Sequence, residues 1–146
     1  MMEMFNIESN DNTLFVTSQC NNRCLMCCQP PSLKKDIEIC WNRNLEIIDK
    51  SPLGIRDIGI SGGEPTLLGN KLPELIKVIR KKYPLAHIHI LSNGRLFNDY
   101  AFAESVKEAA YSNITIGVPL HSDYEYDHDY IAGAKGAYQD TMYGLY

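Results

Sequence analysis

The sequence predicts an α/β fold: about four βα units forming a barrel-like wall within 146 residues. Three observations point there. Short β-branched runs alternate with helical patterns across short connections, which implies βαβ units and a parallel sheet. In the second and fourth runs one parity is all isoleucine or valine (Ile58, Ile60; Ile114, Ile116, Val118), and the other is small or polar (Gly59, Ser61; Thr115, Gly117). A doubly wound sheet is apolar on both faces, so one apolar and one lean face fit a barrel wall with an open lumen. Finally, the last helical pattern reaches Tyr146 with no cap or terminator, as expected of a chain that stops early.

Residues 1–12 are polar, carry Asn-Asp-Asn at their end, and form an irregular lead-in to the domain at 13–146. A first strand, about 13–18, contains Leu14-Phe15-Val16-Thr17. A cysteine loop follows and is closed by Pro30-Pro31, which keeps any helix from starting much before Lys34. Ile37, Trp41, Leu45 and Ile48 recur at helical spacing over roughly 36–50, and Ser51-Pro52-Leu53-Gly54 stops that helix. The second strand, Asp57–Ser61, runs into Gly62-Gly63-Glu64-Pro65. Leu72, Leu75, Ile76 and Ile79 then mark a second helix to about Tyr83, with Pro73 in its first turn. The third strand, His87–Leu91, turns its histidines to the lean face and ends in Ser92-Asn93-Gly94. Asn98 or Asp99 caps a third helix whose buried stripe is Phe102, Val106, Ala109 and Ala110. After the fourth strand, Ile114–Val118, an acidic tyrosine-rich loop leads to a helix with Tyr138, Met142 and Leu145 on one side.

The net charge of −4 argues against a nonspecific nucleic-acid surface, which needs a basic patch. Met1-Met2-Glu3-Met4-Phe5 lacks the basic and apolar regions of a signal peptide. No stretch is long enough to span a bilayer, so no membrane partner is expected. Four of the five cysteines cluster in one loop, which suits metal binding in a reducing compartment, the cytoplasm, better than a disulfide framework.

That loop, Cys20-Asn21-Asn22-Arg23-Cys24-Leu25-Met26-Cys27, brings three thiols within eight residues. Iron–sulfur cubanes usually take four cysteines. With three close together, one iron lacks a protein thiolate, and an open metal position is where substrates or cofactors bind. The pattern Cys-x-x-x-Cys-x-x-Cys after a first strand resembles the radical S-adenosylmethionine (radical SAM) superfamily. The resemblance implies that Cys20, Cys24 and Cys27 hold a [4Fe–4S] cluster whose fourth iron is chelated by S-adenosyl-L-methionine. It further implies a partial barrel of six βα units, a 5′-deoxyadenosyl radical as the reactive species, and an electron donor such as a flavodoxin or ferredoxin. Met26 stands before the third cysteine, where many members place an aromatic residue near the adenine.

Gly62-Gly63-Glu64-Pro65 matches the family's glycine-rich motif, and the resemblance assigns this segment to the amino group of the SAM methionine moiety. Standing alone, it is an ordinary strand-to-helix turn. At the third strand end, Ser92 and Asn93 are candidates for the SAM ribose and carboxylate, set against a simple turn. His121 and Ser122 are the candidates at the fourth, where Pro119 replaces a common serine. The stretch Asp123–Tyr130 either lines a substrate path, pairs with a basic peptide, or is a solvated loop. Cys28 is expected to pack or to support the cluster ligands from beside them, and Cys40 to be a small buried hydrophobe. Two local patterns look similar to maturases of the His-Xaa-Ser peptide-modification system: Cys27-Cys28-Gln29-Pro30-Pro31, and Val118–Ser122 through Gly133–Ala137. They imply a ribosomally made peptide as substrate, with a small molecule as the other possibility. The alternative from another class is a zinc-binding or electron-transfer module that never uses SAM, with Cys28 or Cys40 as fourth ligand.

Overall fold

A computed structural model describes residues 4–9 and 11–146. Met1–Glu3 and Asn10 lie outside it, and with them part of the expected lead-in and of the N-terminal stretch that lacks signal-peptide character. The described chain forms strands β1 (Thr13–Phe15), β2 (Asp57–Ser61), β3 (His87–Leu91) and β4 (Ile114–Gly117), all parallel in the order β1-β2-β3-β4. Helices α1 (Ile37–Lys50), α2 (Lys71–Lys82) and α3 (Tyr100–Ala110) connect them in turn. Helices α4 (Glu125–Ala132) and α5 (Ala137–Leu145) follow β4. This is the α/β partial barrel, reduced to four strands, that the alternating pattern predicts. Among the described residues no helix is long and apolar enough to cross a membrane.

The register explains the two faces. Leu14, Ile60, Ile90 and Ile116 form one row across the sheet, and Ile58, Ile88 and Ile114 form another. From β1 to β3 these side chains are fully buried with Leu72, Leu75, Ile76 and Ile79 of α2 and Val106, Ala109 and Ala110 of α3. The intervening row of Thr13, Gly59, His89 and Thr115 stays lean and open. At the edge strand the burial fails, and Ile116 is 37% exposed.

Several expectations shift. The first strand ends at Phe15 rather than about residue 18, although Val16 N–H still donates to Ser61 O at 2.9 Å. In α1 the buried stripe is Cys40, Asn44, Ile47 and Ile48, one position round from the expected set, with Ile37 and Trp41 packed against it. Asp99 caps α3, accepting from Ala101 N–H and Phe102 N–H. Phe5 of the lead-in is a core residue against Tyr83, with ring centroids 6.2 Å apart and the rings tilted by 50°. Two corrections are larger. The acidic tyrosine-rich segment folds as α4 instead of a loop, closed by Gly133 in the left-handed region. And α5 buries Ala137 and Thr141, while Leu145 is exposed, because small side chains let that helix lie against the turn after β3.

Candidate active site

Because every strand points the same way, the segments after Phe15, Ser61, Leu91 and Gly117 leave from one edge of the sheet. Open and barrel α/β folds place ligands at that edge. The cysteine loop leaves β1 there and is tied down on four sides.

Asp36, at the N-terminus of α1, accepts from Thr17 Oγ1 (2.7 Å) and from Ser18 N–H (2.9 Å). Burial raises the Asp36 carboxyl pKa, but hydrogen bonds from Ser18 and Thr17 hold it below the usual carboxylate range. On the second side, Gly63 N–H donates to Thr17 O (2.7 Å) and Glu64 N–H to Gln19 O (2.8 Å). A Cβ on Gly63 would lie 2.1 Å from Gln19 O, so only glycine lets the two backbones meet. Gly62 and Gly63 are therefore required by the approach of the cysteine loop itself.

Glu64 is fully buried, and this comes from its partners rather than from any ligand. Oε1 accepts from Thr66 N–H (3.0 Å), Thr66 Oγ1 (2.6 Å) and Ser92 Oγ (2.7 Å), and Oε2 accepts from Asn93 N–H (2.7 Å). The turn at Gly62–Pro65 is thus joined to Ser92 and Asn93 at the end of β3. Ser92 is buried, and its Oγ also accepts from Gly94 N–H.

The third tie was not foreseen from the sequence. Arg95, directly after Ser92-Asn93-Gly94, donates from Nη1 to Asn21 O and to Asn22 Oδ1, both at 2.9 Å. Its Nε and Nη2 grip Asp140 Oδ2 of α5 at 3.0 and 2.8 Å. Asn93 Nδ2 adds a bond to Asn21 Oδ1 (2.6 Å), and Thr141 Oγ1 donates to Asn93 O (3.0 Å). On the fourth side, Arg23 N–H and Leu25 N–H donate to Ala132 O and Ile131 O at 2.8 and 2.9 Å. These are carbonyls of the last turn of α4, and Gly133 clears the way for Arg23 O. No local motif announces these ties, since Asp140 and α4 lie far along the chain from the cysteines.

Cys20 and Cys24 are partly covered, whereas Cys27 is exposed with its thiol donating to Gln29 O at 3.0 Å. Burial pushes the Cys20 thiol up; a bond from Asn22 N–H opposes it, and the charges of Glu64, Cys24 and Cys27 add to the rise. Burial pushes Cys24 up as well, with Cys27 next, while the Asn22 side chain pulls it back. The three thiols therefore sit in one another's field. Among the described residues no three His, Cys, Asp or Glu side chains converge on a single ion. A cubane spreads its ligands over separate irons, which a loop of three spaced thiols suits better than a one-ion cage. An all-sulfur donor set, with N–H groups aimed at the sulfurs, has the chemistry of an iron–sulfur site. Cys40 is buried in α1, where burial first and then Asp36 raise its thiol.

Met26 is 61% exposed. Ser122 Oγ accepts from Tyr124 N–H (3.0 Å), starting α4, and Pro65 is buried at the head of the turn after β2. Neither Met26 nor Ser122 joins the Glu64–Asn93 network among the described contacts. His128, 1% exposed, accepts from His121 N–H at 3.2 Å and so fixes the segment after β4.

Comparison with known proteins agrees with this geometry. A family model described as the radical SAM superfamily matches residues 14–145. A GTP 3',8-cyclase from Petrotoga mobilis is 36% identical over 107 residues, covering 70% of this chain and 32% of the relative. A putative glycyl-radical enzyme activating enzyme from Methanocaldococcus jannaschii is 28% identical over 124 residues, covering 81% of this chain and 33% of the relative. The chain spans about a third of the length of these curated relatives. A solved structure of native anSMEcpe with bound AdoMet and Cp18Cys peptide superposes with a TM-score of 0.62 at 18% identity, covering 91% of this chain and 37% of that one.

Proposed function

This chain belongs to the radical SAM superfamily, whose cofactors are a [4Fe–4S] cluster and S-adenosyl-L-methionine, and from that premise we propose that Cys20, Cys24 and Cys27 are the cluster ligands and that 13–146 is the N-terminal part of the core domain. When bound, these groups supply the one-electron cleavage of SAM to methionine and a 5′-deoxyadenosyl radical that takes hydrogen from a substrate. The rest is the work of the residues described. Asp36, Gly63 and Arg95 hold the thiol loop at the sheet edge. Backbone carbonyls of Gly62 and Gly63, and the second lone pair of Glu64 Oε2, offer acceptors to the SAM ammonium. Buried Ser92 and half-buried Asn93 hold Glu64 in its orientation. The lean row of the sheet leaves the lumen open for substrate, and His89 looks into it.

The observation that carries this reading is the docking of the cysteine loop on the Gly62–Glu64 turn, because it puts the thiols and the glycine-rich segment on one rim. For the substrate we favour a ribosomally made peptide, as in the His-Xaa-Ser maturases. The support is the pair of local patterns around Cys27–Pro31 and Val118–Ala137. The electron donor is a flavodoxin or ferredoxin and the site of action is the cytoplasm, as an exposed reducible cluster requires. The relatives named GTP 3',8-cyclase favour a second reading, a nucleotide substrate. Their match covers the portion that handles SAM, so it bears on the cofactor more than on the substrate. The test is anaerobic reconstitution of the full-length protein with iron and sulfide, followed by SAM and dithionite. Formation of 5′-deoxyadenosine is expected, faster with a basic peptide than with GTP. An intact cluster that yields none would falsify the proposal.

A further inference from the structure

From Cys20 to Lys35 the chain carries Arg23, Lys34 and Lys35 and no Asp or Glu, although the whole protein has 18 acidic residues against 14 basic ones. All three side chains are exposed, and none has a carboxylate partner among the described contacts. The two lysines do not sit on a loose tail. Ser32 N–H donates to Ser18 O at 2.9 Å, and Ser18 N–H donates to Asp36 at 2.9 Å. The turn between is therefore fastened at both ends to the residue that stands two before Cys20. Lys34 N–H adds a bond to Ser32 Oγ at 3.1 Å within it. Leu33, 90% exposed, stands beside the lysines, and Leu25, 65% exposed, stands two residues before Cys27. Cys27 is itself exposed, whereas Cys20 and Cys24 are partly covered. The open approach from solvent to the thiols thus ends at Cys27, on a surface that carries two bare leucines and three cations.

We propose that this surface, made of Arg23, Leu25, Leu33, Lys34 and Lys35 beside Cys27, docks a small acidic one-electron carrier protein. The inference rests on the reading that Cys20, Cys24 and Cys27 hold the cluster. Charge selects the partner, because opposite potentials speed encounter and orient the two surfaces, while a basic peptide substrate is repelled here. An apolar centre with a charged rim suits the small, short-lived contact of an electron-transfer pair. The transfer moves one electron: the anionic flavin hydroquinone of the carrier becomes the neutral semiquinone, and the oxidised cluster is reduced. No bond forms or breaks and no proton is exchanged.

The experiment mixes the anaerobically reconstituted full-length protein with a flavodoxin reduced to its hydroquinone and reads semiquinone formation by stopped-flow absorbance. Lys34→Glu/Lys35→Glu reverses two charges and keeps every backbone bond of the turn. Its rate constant is expected to fall about tenfold at about 0.01 M salt and to return within about twofold of the parent at about 1 M, as the Debye length shrinks from about 30 to about 3 Å. Lys77→Glu/Lys81→Glu makes the same change in net charge on exposed residues of α2, in the part that runs to the opposite edge of the sheet, and should stay within about twofold throughout. Binding of oxidised flavodoxin to the cluster-free protein, followed by flavin fluorescence, tests the surface without the cluster. Its Kd at low salt should rise about tenfold in the Lys34/Lys35 variant, and should rise in Leu33→Ser as well. Dithionite needs no docking, so the reduced-cluster signal in electron paramagnetic resonance is expected to be equal in parent and variants. Parent rate and Kd in the Lys34/Lys35 variant, or an equal loss in the Lys77/Lys81 variant, overturn the inference and leave the ligand assignment standing. A salt-sensitive dimer of the parent that the Lys34/Lys35 variant abolishes also overturns it, since a second copy then covers the surface. A parent protein that takes up no cluster overturns the ligand assignment itself.

Discussion

Replacing Gly63 by alanine is the sharpest perturbation of the fold that builds the rim. The added methyl would sit 2.1 Å from Gln19 O, 2.6 Å from Gln19 C and 3.0 Å from Ser18 C, all backbone atoms with no rotamer to escape into. To reach even 3.0 Å from the carbonyl oxygen, the turn and the loop must part by about 0.9 Å, the least that close-packed interiors tolerate. That separation carries the bonds from Gly63 N–H (2.7 Å) and Glu64 N–H (2.8 Å) beyond useful length. Two net hydrogen bonds at about 0.5–1.5 kcal/mol each and an overpacking cost of about 1–3 kcal/mol give a destabilisation of about 2–6 kcal/mol. This is a large share of the roughly 5–15 kcal/mol that holds a domain together. Guanidinium unfolding of the cluster-free protein, followed by circular dichroism, reads that loss directly. Iron per chain after reconstitution reads its consequence, and less than half the parent content is expected. A Gly63→Ala protein with the parent midpoint and full iron would refute the claim that backbone contact here fixes the loop.

Glu64→Gln puts an NH2 group where Oε1 or Oε2 met only donors, so at least one bond from Ser92, Thr66 or Asn93 is lost; a fall of about 1–3 kcal/mol in unfolding free energy is expected. Asp140→Ala strands the Arg95 guanidinium, 16% exposed, and should lower both iron content and stability, with partial recovery in the double variant Arg95→Met/Asp140→Ala. His128 is held below its ordinary pKa by burial first and then by His121, with Asp129 opposing. Its folded-state pKa lies below the unfolded value, so the unfolded chain binds the proton first. Stability is then expected to be full above about pH 6.5 and to decline as pH falls below it. His128→Gln should flatten that slope in denaturant titrations between pH 7 and pH 5, and an unchanged slope would assign the dependence elsewhere.

The parts legible in the sequence were those written in short periods. Alternation of isoleucine with glycine or threonine fixed both sheet faces before any coordinates, because the strand period is two and a one-residue slip inverts it. Cysteine spacing and the paired glycines announced the rim for a similar reason: both are local. What stayed hidden depends on partners distant in the chain. Asp140 meets Arg95 across 45 residues, and the peptide groups of Arg23 and Leu25 meet the end of α4 across more than a hundred. Helix α4 itself was masked by composition, since Tyr124-Glu125-Tyr126-Asp127 carries no apolar stripe. Only Ala132 and His128 are buried, one helical turn apart, and a buried histidine is not an apolar signal. Likewise α5 was registered on its large residues, whereas packing against the turn after β3 selected its small ones.

The division between rim and lumen also explains how relatives with different names share this stretch of chain. Every tie found on the cysteine loop runs to the sheet edge, to α1 or to α4, and none runs to the lean row of Thr13, Gly59, His89 and Thr115. The hydrogen bonds of that row lie away from the thiol loop: Thr13 Oγ1 donates to Asp11 Oδ1 at 2.9 Å, and Thr115 Oγ1 pairs with His87 Nε2 at 2.9 Å. On the proposed function, a radical formed at the rim would not depend on the residues of the lean row. On the same proposal selectivity would belong to that row, where His89 is exposed and has no hydrogen-bond partner among the described contacts. His89→Ala is accordingly expected to leave iron content and unreacted-substrate 5′-deoxyadenosine formation within twofold of the parent, while lowering kcat/KM for the true substrate. If instead it removes the cluster, the separation of rim from lumen is wrong.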